Sequence, residues 1–283
     1  LKDIISRRKE GKKPKVVFLL GNHEMQMMQV LDIIRKYQLN QTQIKEYCSV
    51  GRWLQYVDQL KAENEDGNGE YIRKHTATAQ GMLQQMNGGP KLSEDEMKLL
   101  YIWLILNHGL DTFNEYCSSS QEEQEEIYRF LTERANIFGK KEMNGQKFLF
   151  VHAAPPYSGQ LVEQIKDFEE VSCQCNKFSS VKDRDLMLSS CTEVRHESSK
   201  KELWEASFKL WKDAGYRIIY GHTYKLGKIV ENKEYGCTCI DAGCGQKAKD
   251  AKLALYCIDD EKVKYIESRE EDRGTVQGDG EGR

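Results

Sequence analysis

No stretch of this sequence approaches the roughly 18 to 20 uninterrupted apolar residues that a membrane-spanning helix needs, so no such helix is expected. The opening residues Leu1-Lys2-Asp3-Ile4-Ile5 show neither a basic region leading into an apolar core nor a cleavage site, so a secretory leader is not expected and a cytoplasmic protein is. No charge of one sign dominates. The formal net charge of −3 gives no electrostatic case for nucleic-acid binding, and the local basic clusters Arg7-Arg8-Lys9 and Lys12-Lys13 read as a solvated helix end. A disulfide framework is also excluded as an expectation, because nine cysteines is an odd number in a chain without a secretion signal. The pairs Cys173-x-Cys175 and Cys237-x-Cys239 lack the two-residue spacing of common zinc knuckles and read as small buried or surface residues.

What is present is enough for a core. A chain of 283 residues with 39% hydrophobic content supports one large domain or two modest ones. Residues 1 to 10 read as the last turns of a basic amphipathic helix ended by Gly11 and Pro14, as though the chain starts within a domain. Val16-Val17-Phe18-Leu19-Leu20 follows, rich in β-branched residues, and reads as a strand buried on both faces. Residues 25–140 then carry Leu, Ile, Met and Tyr at three- and four-residue spacing, which predicts a helical block interrupted at 63–69 and at Asn87-Gly88-Gly89-Pro90. Within it, Ser93 followed by Glu96 predicts a capping box. Strand pattern returns at Phe148 to Val151, Ile218 to Tyr220, Cys239 to Asp241 and Leu253 to Ile258, with a charged, irregular region at 157–215. The tail 269–283 is predicted to be disordered, since it carries acids and glycines and almost nothing apolar.

Three of these strands end alike. Leu20 passes to Gly21-Asn22-His23-Glu24, Val151 to His152-Ala153-Ala154, and Tyr220 to Gly221-His222-Thr223. In layered α/β folds the carboxyl ends of neighbouring strands line the ligand crevice, so histidines delivered there can converge from distant parts of the sequence. Imidazole nitrogen and amide oxygen suit borderline divalent cations such as manganese, iron or zinc. Glycine before two of the histidines would let the backbone turn tightly beside an ion.

The stretch Val17 to Glu24 resembles the G-N-H-E motif of phosphoprotein phosphatases, within the calcineurin-like metallophosphoesterases. Phe150-Val151-His152-Ala153 resembles the V-H-A-G element of that family, and Tyr220-Gly221-His222-Thr223 the G-H-T element of its bacterial and phage branch. Two further segments fit in order: Asn107 to Thr112 with Tyr116 is similar to N-G-G-x-x-T…S-Y, and Ile240-Asp241-Ala242-Gly243 to I-D-T-G. The resemblance implies an α/β fold with two mixed β-sheets packed as a sandwich and flanked by helices. One such domain would span 1–268, with the helical block 25–140 after its first strand. It also implies that Asn22, His152 and His222 bind one of two divalent metal ions, manganese first, with iron or zinc as alternatives. His23 would be the general acid toward the leaving oxygen, and Glu24 would fix the loop by hydrogen bonding.

The family's two earlier motifs, D-x-H and G-D-x-x-D-R-G, do not precede Gly21, so an N-terminally truncated domain is expected. Asp272-Arg273-Gly274 reads as tail. Ala154 stands where glycine is usual, and Trp204 is not followed by the arginine of the bacterial branch. Arg195 is the substitute considered for phosphate contact, with a surface arginine as the plainer reading. The implied activity is hydrolysis of phosphomonoesters, with phosphoserine, phosphothreonine or phosphotyrosine in proteins, or a small phosphoester, as substrate. Two alternatives stand: a dinucleoside polyphosphate hydrolase, and a non-catalytic relative that binds a protein partner through the helices of 25–140.

Overall fold

The computed structural model describes residues 17–63, 77–78, 81–82, 89–164, 170–172, 190–192, 201–244, 246, 248 and 250–267. The chain divides into two compact units, one of Asn22–Thr132 and the other of Leu1–Gly21 with Glu133–Arg283.

The smaller unit is helical. It runs through α1 (Asn22–Tyr37), α2 (Gln41–Glu63), α3 (Glu94–Tyr101), α4 (Leu110–Ser118) and α5 (Gln121–Arg129). The expected capping box is there: Glu96 N donates to Ser93 Oγ at 3.2 Å and Ser93 N to Glu96 Oε2 at 2.8 Å. The same reciprocal device starts α5, through Ser120 and Glu123, and Asn40 with Gln43 repeats it before α2. Burial pushes the Glu96 carboxyl up, but the Ser93 backbone N–H and the Lys36 ammonium outweigh that and hold it below its ordinary value. Helix α2 packs closely on α3 at Gly51, where a Cβ would fall 2.1 Å from the Met97 carbonyl oxygen, closer than any atom pair tolerates. After α3 the chain widens into a π-helical turn, Ile102–Leu106, with Trp103 and Leu104 buried and Ile105 and Leu106 exposed. His108 follows with φ 54, the left-handed backbone that commonly ends a helix, so it is a helix-end residue.

The larger unit is built on a six-stranded mixed sheet in the order β3-β1-β2-β4-β6-β5. Its strands are β1 (Asn136–Met143), β2 (Gln146–Val151), β3 (Glu170–Ser172), β4 (Tyr216–Tyr220), β5 (Val230–Asn232) and β6 (Cys237–Cys239). Strands β1 and β2 form a hairpin whose two turn residues, Asn144 (φ 51) and Gly145 (φ 78), both have positive φ, as the tight turn matched to strand twist demands. Strand β2 is parallel to β4 and β4 to β6. Helix α7 (Lys201–Asp213) precedes β4 and buries Trp204, Phe208 and Trp211, with Trp204 stacked on Phe208 at 3.9 Å between ring centroids. A separate antiparallel pair, β7 (Lys252–Cys257) and β8 (Lys262–Glu267), completes the described strands.

The architecture is therefore mixed α/β, and several expectations change in detail. The helical block does not reach residue 140, because Asn136–Met143 pairs with β2 as a strand. Of the two mixed sheets expected, one is mixed; the other, among the described residues, is a two-stranded antiparallel hairpin. Residues 17–20 form only a single described bridge, Leu19 to Asn136, and Val17 is 38% exposed, so this segment is not a strand buried on both faces. The strand expected over Cys239 to Asp241 ends at Cys239. The region 157–215, read as irregular, holds α6 (Gly159–Gln164), β3 and α7. The tail 269–283 lies outside the described residues. No helix among the described residues is long and apolar enough to cross a membrane.

Candidate metal-binding edge

Because β2, β4 and β6 are parallel neighbours, their carboxyl ends lie along one edge of the sheet. His152 directly follows β2, His222 comes two residues after β4, and Asp241 comes two residues after β6. Two of the expected ligands are thereby brought together: His152 Nε2 lies 3.1 Å from His222 Nδ1, with ring centroids 4.9 Å apart. Both side chains are half-buried.

The backbone around the pair is held from several sides. Gly221 N donates to the His152 carbonyl at 2.9 Å, tying the two strand ends to each other. Ala153 N and Ala154 N donate to the carbonyls of Cys191 and Ser190, and the Trp211 indole N–H donates to Pro156 O at 3.0 Å. The segment after His152 is thus clamped by buried groups, and Ala154 sits there fully buried.

His222 itself has φ 67, and Thr223 N donates to Gly221 O at 2.8 Å across it. This three-residue turn with positive φ at its centre is rare and strained for a residue with a side chain, and such strain collects at functional sites. Sequence reasoning assigned the tight turn to the preceding glycine. Instead a Cβ at Gly221 would meet Asp241 Cβ at 3.5 Å and His152 O at 3.6 Å, ordinary contacts, and the unusual backbone falls on the histidine.

Asp241 is the residue that sequence reasoning passed over as a site member. It lies half-buried at the same edge, its Oδ1 accepting from Gly243 N at 3.0 Å and its carbonyl from Lys225 N at 2.9 Å. The signal was available: a further short strand is followed by a polar residue, two residues past the strand end as His222 is.

The remaining expected residues are distributed differently. Asn22, His23 and Glu24 are the first three residues of α1, Asn22 half-buried and the other two exposed. The boundary between the units falls between Gly21 and Asn22, so His152 and His222 belong to one unit and Asn22, His23 and Glu24 to the other. Glu24, an acid in the first turn of α1, is favourably placed against the positive end of the helix dipole. In that unit Asn107 Nδ2 donates to Gln26 Oε1 at 2.6 Å, fastening the loop before α4 to the second turn of α1. Arg195 lies outside the described residues, as do Cys173 and Cys175.

Two imidazole nitrogens 3.1 Å apart have the separation of ligands each about 2.1 Å from a shared ion at roughly a right angle, and their chemistry suits a borderline divalent cation. Among the described residues no group of three or more His, Cys, Asp or Glu side chains is placed to hold a metal. The thiols of β6 are poor candidates for metal chemistry. Burial pushes Cys237 up to about 12 and also raises Cys239, which disfavours the thiolate that a metal requires.

No protein-family model matches the sequence, and no curated protein matches it.

Proposed function

We propose that this chain is the metal-binding part of a calcineurin-like metallophosphoesterase that hydrolyses phosphomonoesters, with phosphoserine or phosphothreonine in proteins as the leading substrate class. The observation that carries the reading is the His152–His222 pair, two imidazoles on adjacent parallel strands facing each other at 3.1 Å beside a strained backbone turn. The resemblance of five ordered motifs supports it, as does the mixed sheet that the sandwich fold of that class requires.

In this reading His152 and His222 would hold one divalent cation, manganese first. When bound, divalent cations neutralise phosphoryl charge and lower the pKa of water so that hydroxide is available near pH 7. The chain's own contribution is orientation and proton transfer. The clamps on residues 153–156 and the turn at 221–223 keep both imidazoles in place. His23 gives its proton to the leaving oxygen as general acid. Glu24 steadies the first turn of α1.

Manganese binding to the full chain, followed by electron paramagnetic resonance, tests the reading together with turnover of p-nitrophenyl phosphate and phenyl phosphate. His152→Ala and His222→Ala are expected each to lose manganese affinity. His23→Asn is expected to keep the metal and to lose turnover by about 10²-fold or more, with a larger loss on phenyl phosphate, whose leaving group needs the proton more. Unchanged manganese affinity in both histidine variants would overturn the proposal.

A further inference from the structure

The helical unit carries a groove that the phosphoesterase reading does not use. Two adjoining cavities of about 680 and 540 Å³ share Arg52 and Tyr101 and run along α2. The groove exists because of two local features. Gly51 draws α2 hard against α3 at Met97, and directly beyond α3 the π-helical turn swings Ile105 and Leu106 outward, where they are 44% and 47% exposed. A π-helical turn is uncommon and is often found where a helix has been shaped for function. Leu110 at the start of α4 and Tyr56 on α2 add further exposed apolar surface, at 43% and 37%.

Among the described residues the charge on this groove is of one sign: no acidic residue lines either cavity, whereas Arg52 lines both and Lys45 lines the second. Neither cation makes a hydrogen bond or an ion pair with a described residue. They lie seven residues apart on α2, hence on one face and about 10 Å from each other along the helix axis. Elsewhere in the unit, Arg35 pairs with Glu125, Lys36 with Glu96 and Lys98 with Asp58.

We infer that this groove is a docking site for an acidic, apolar peptide segment of a partner protein, its apolar side chains seated between α2 and the π-helical turn and its carboxylates meeting Lys45 and Arg52. Apolar burial supplies the affinity, and the two cations select sequence and orientation. The inference stands independently of the phosphoesterase proposal, since every residue it uses lies in the helical unit and none belongs to the proposed metal or acid groups.

The test is selection of a phage-displayed random-peptide library on the full chain, followed by fluorescence anisotropy with the enriched peptide made synthetically. Enriched sequences are expected to combine Asp or Glu with Leu, Phe or Trp. Arg52→Glu and Lys45→Glu are each expected to weaken binding roughly tenfold, the loss of one charge pair at a partly desolvated site. The double reversal is expected to regain binding when the peptide acids are replaced by lysine. Leu106→Asp should abolish binding without changing the melting temperature, because the side chain is already solvent-exposed. Three results would overturn the inference: no enrichment, enriched peptides whose binding ignores Arg52→Glu, or self-association of the chain that Leu106→Asp disrupts, which would make the occupant a second copy.

Discussion

The two units of this molecule solve the problem of ordering a chain in different ways. In the helical unit three of the five helices carry their own starting signal, reciprocal caps of which Ser93 with Glu96 is the one that sequence shows most openly. In the sheet unit nothing local fixes His152 against His222, which are 70 residues apart in the chain. They meet because β2 and β4 pair in parallel and because a buried clamp, with the Trp211 indole at its centre, holds the loop between them. The helical unit therefore depends on many small, nearly additive contributions, and the sheet unit on a few long-range contacts with large individual weight.

That contrast is open to attack at four points. Trp211 is fully buried and donates to Pro156, so Trp211→Ala is expected to lose about 3 to 5 kcal/mol in urea unfolding. Trp211→Phe keeps most of the packing and should lose about 1 kcal/mol while lowering manganese affinity, which separates the clamp's hydrogen bond from its bulk. Gly51→Ala drives a methyl group into the Met97 carbonyl, and overpacking of this kind costs about 1 to 3 kcal/mol, read as loss of helical circular dichroism.

Ser93→Ala should cost about 1 kcal/mol at neutral pH. The Glu96 partner of that cap has a carboxyl pKa depressed by folding, so its contribution is present above the unfolded value near 4.3 and is lost as pH falls through the lower, folded value. The difference between wild type and Ser93→Ala should accordingly shrink on acidification below about pH 4, in thermal melts across a pH series. The smallest effect is expected at Thr238, whose hydroxyl is buried on β6 without a hydrogen-bond partner. Thr238→Val removes the stranded group with little change of shape and should raise stability by up to about 1 kcal/mol, visible as a small upward shift in melting temperature.

Much of the fold could be read from residue patterns, and the misses have identifiable physical causes. Strands β2, β4 and β7 were visible as short apolar runs, and for β2 and β4 the reason is that a strand in a sheet interior has little choice of residue type. Strand β1 was missed because its second half, Lys140-Lys141-Glu142, is solvent-facing and looks like the end of a helical block; the Asn144-Gly145 turn was the available correction. Helix α7 was missed inside a charged region although Trp204, Phe208 and Trp211 fall at helical spacing, a pattern that the neighbouring Cys- and Ser-rich sequence obscured.

The candidate site divides in the same manner. The sequence by itself determined which residue types stand at strand ends, because side-chain chemistry and the local β pattern are written in consecutive residues. Tertiary structure alone decided that His152 faces His222 at 3.1 Å, that Asp241 shares their edge, and that the strained turn falls on His222 instead of Gly221. Strand order, parallel pairing and the closure of a turn are properties of contacts between distant segments, and no local propensity encodes them.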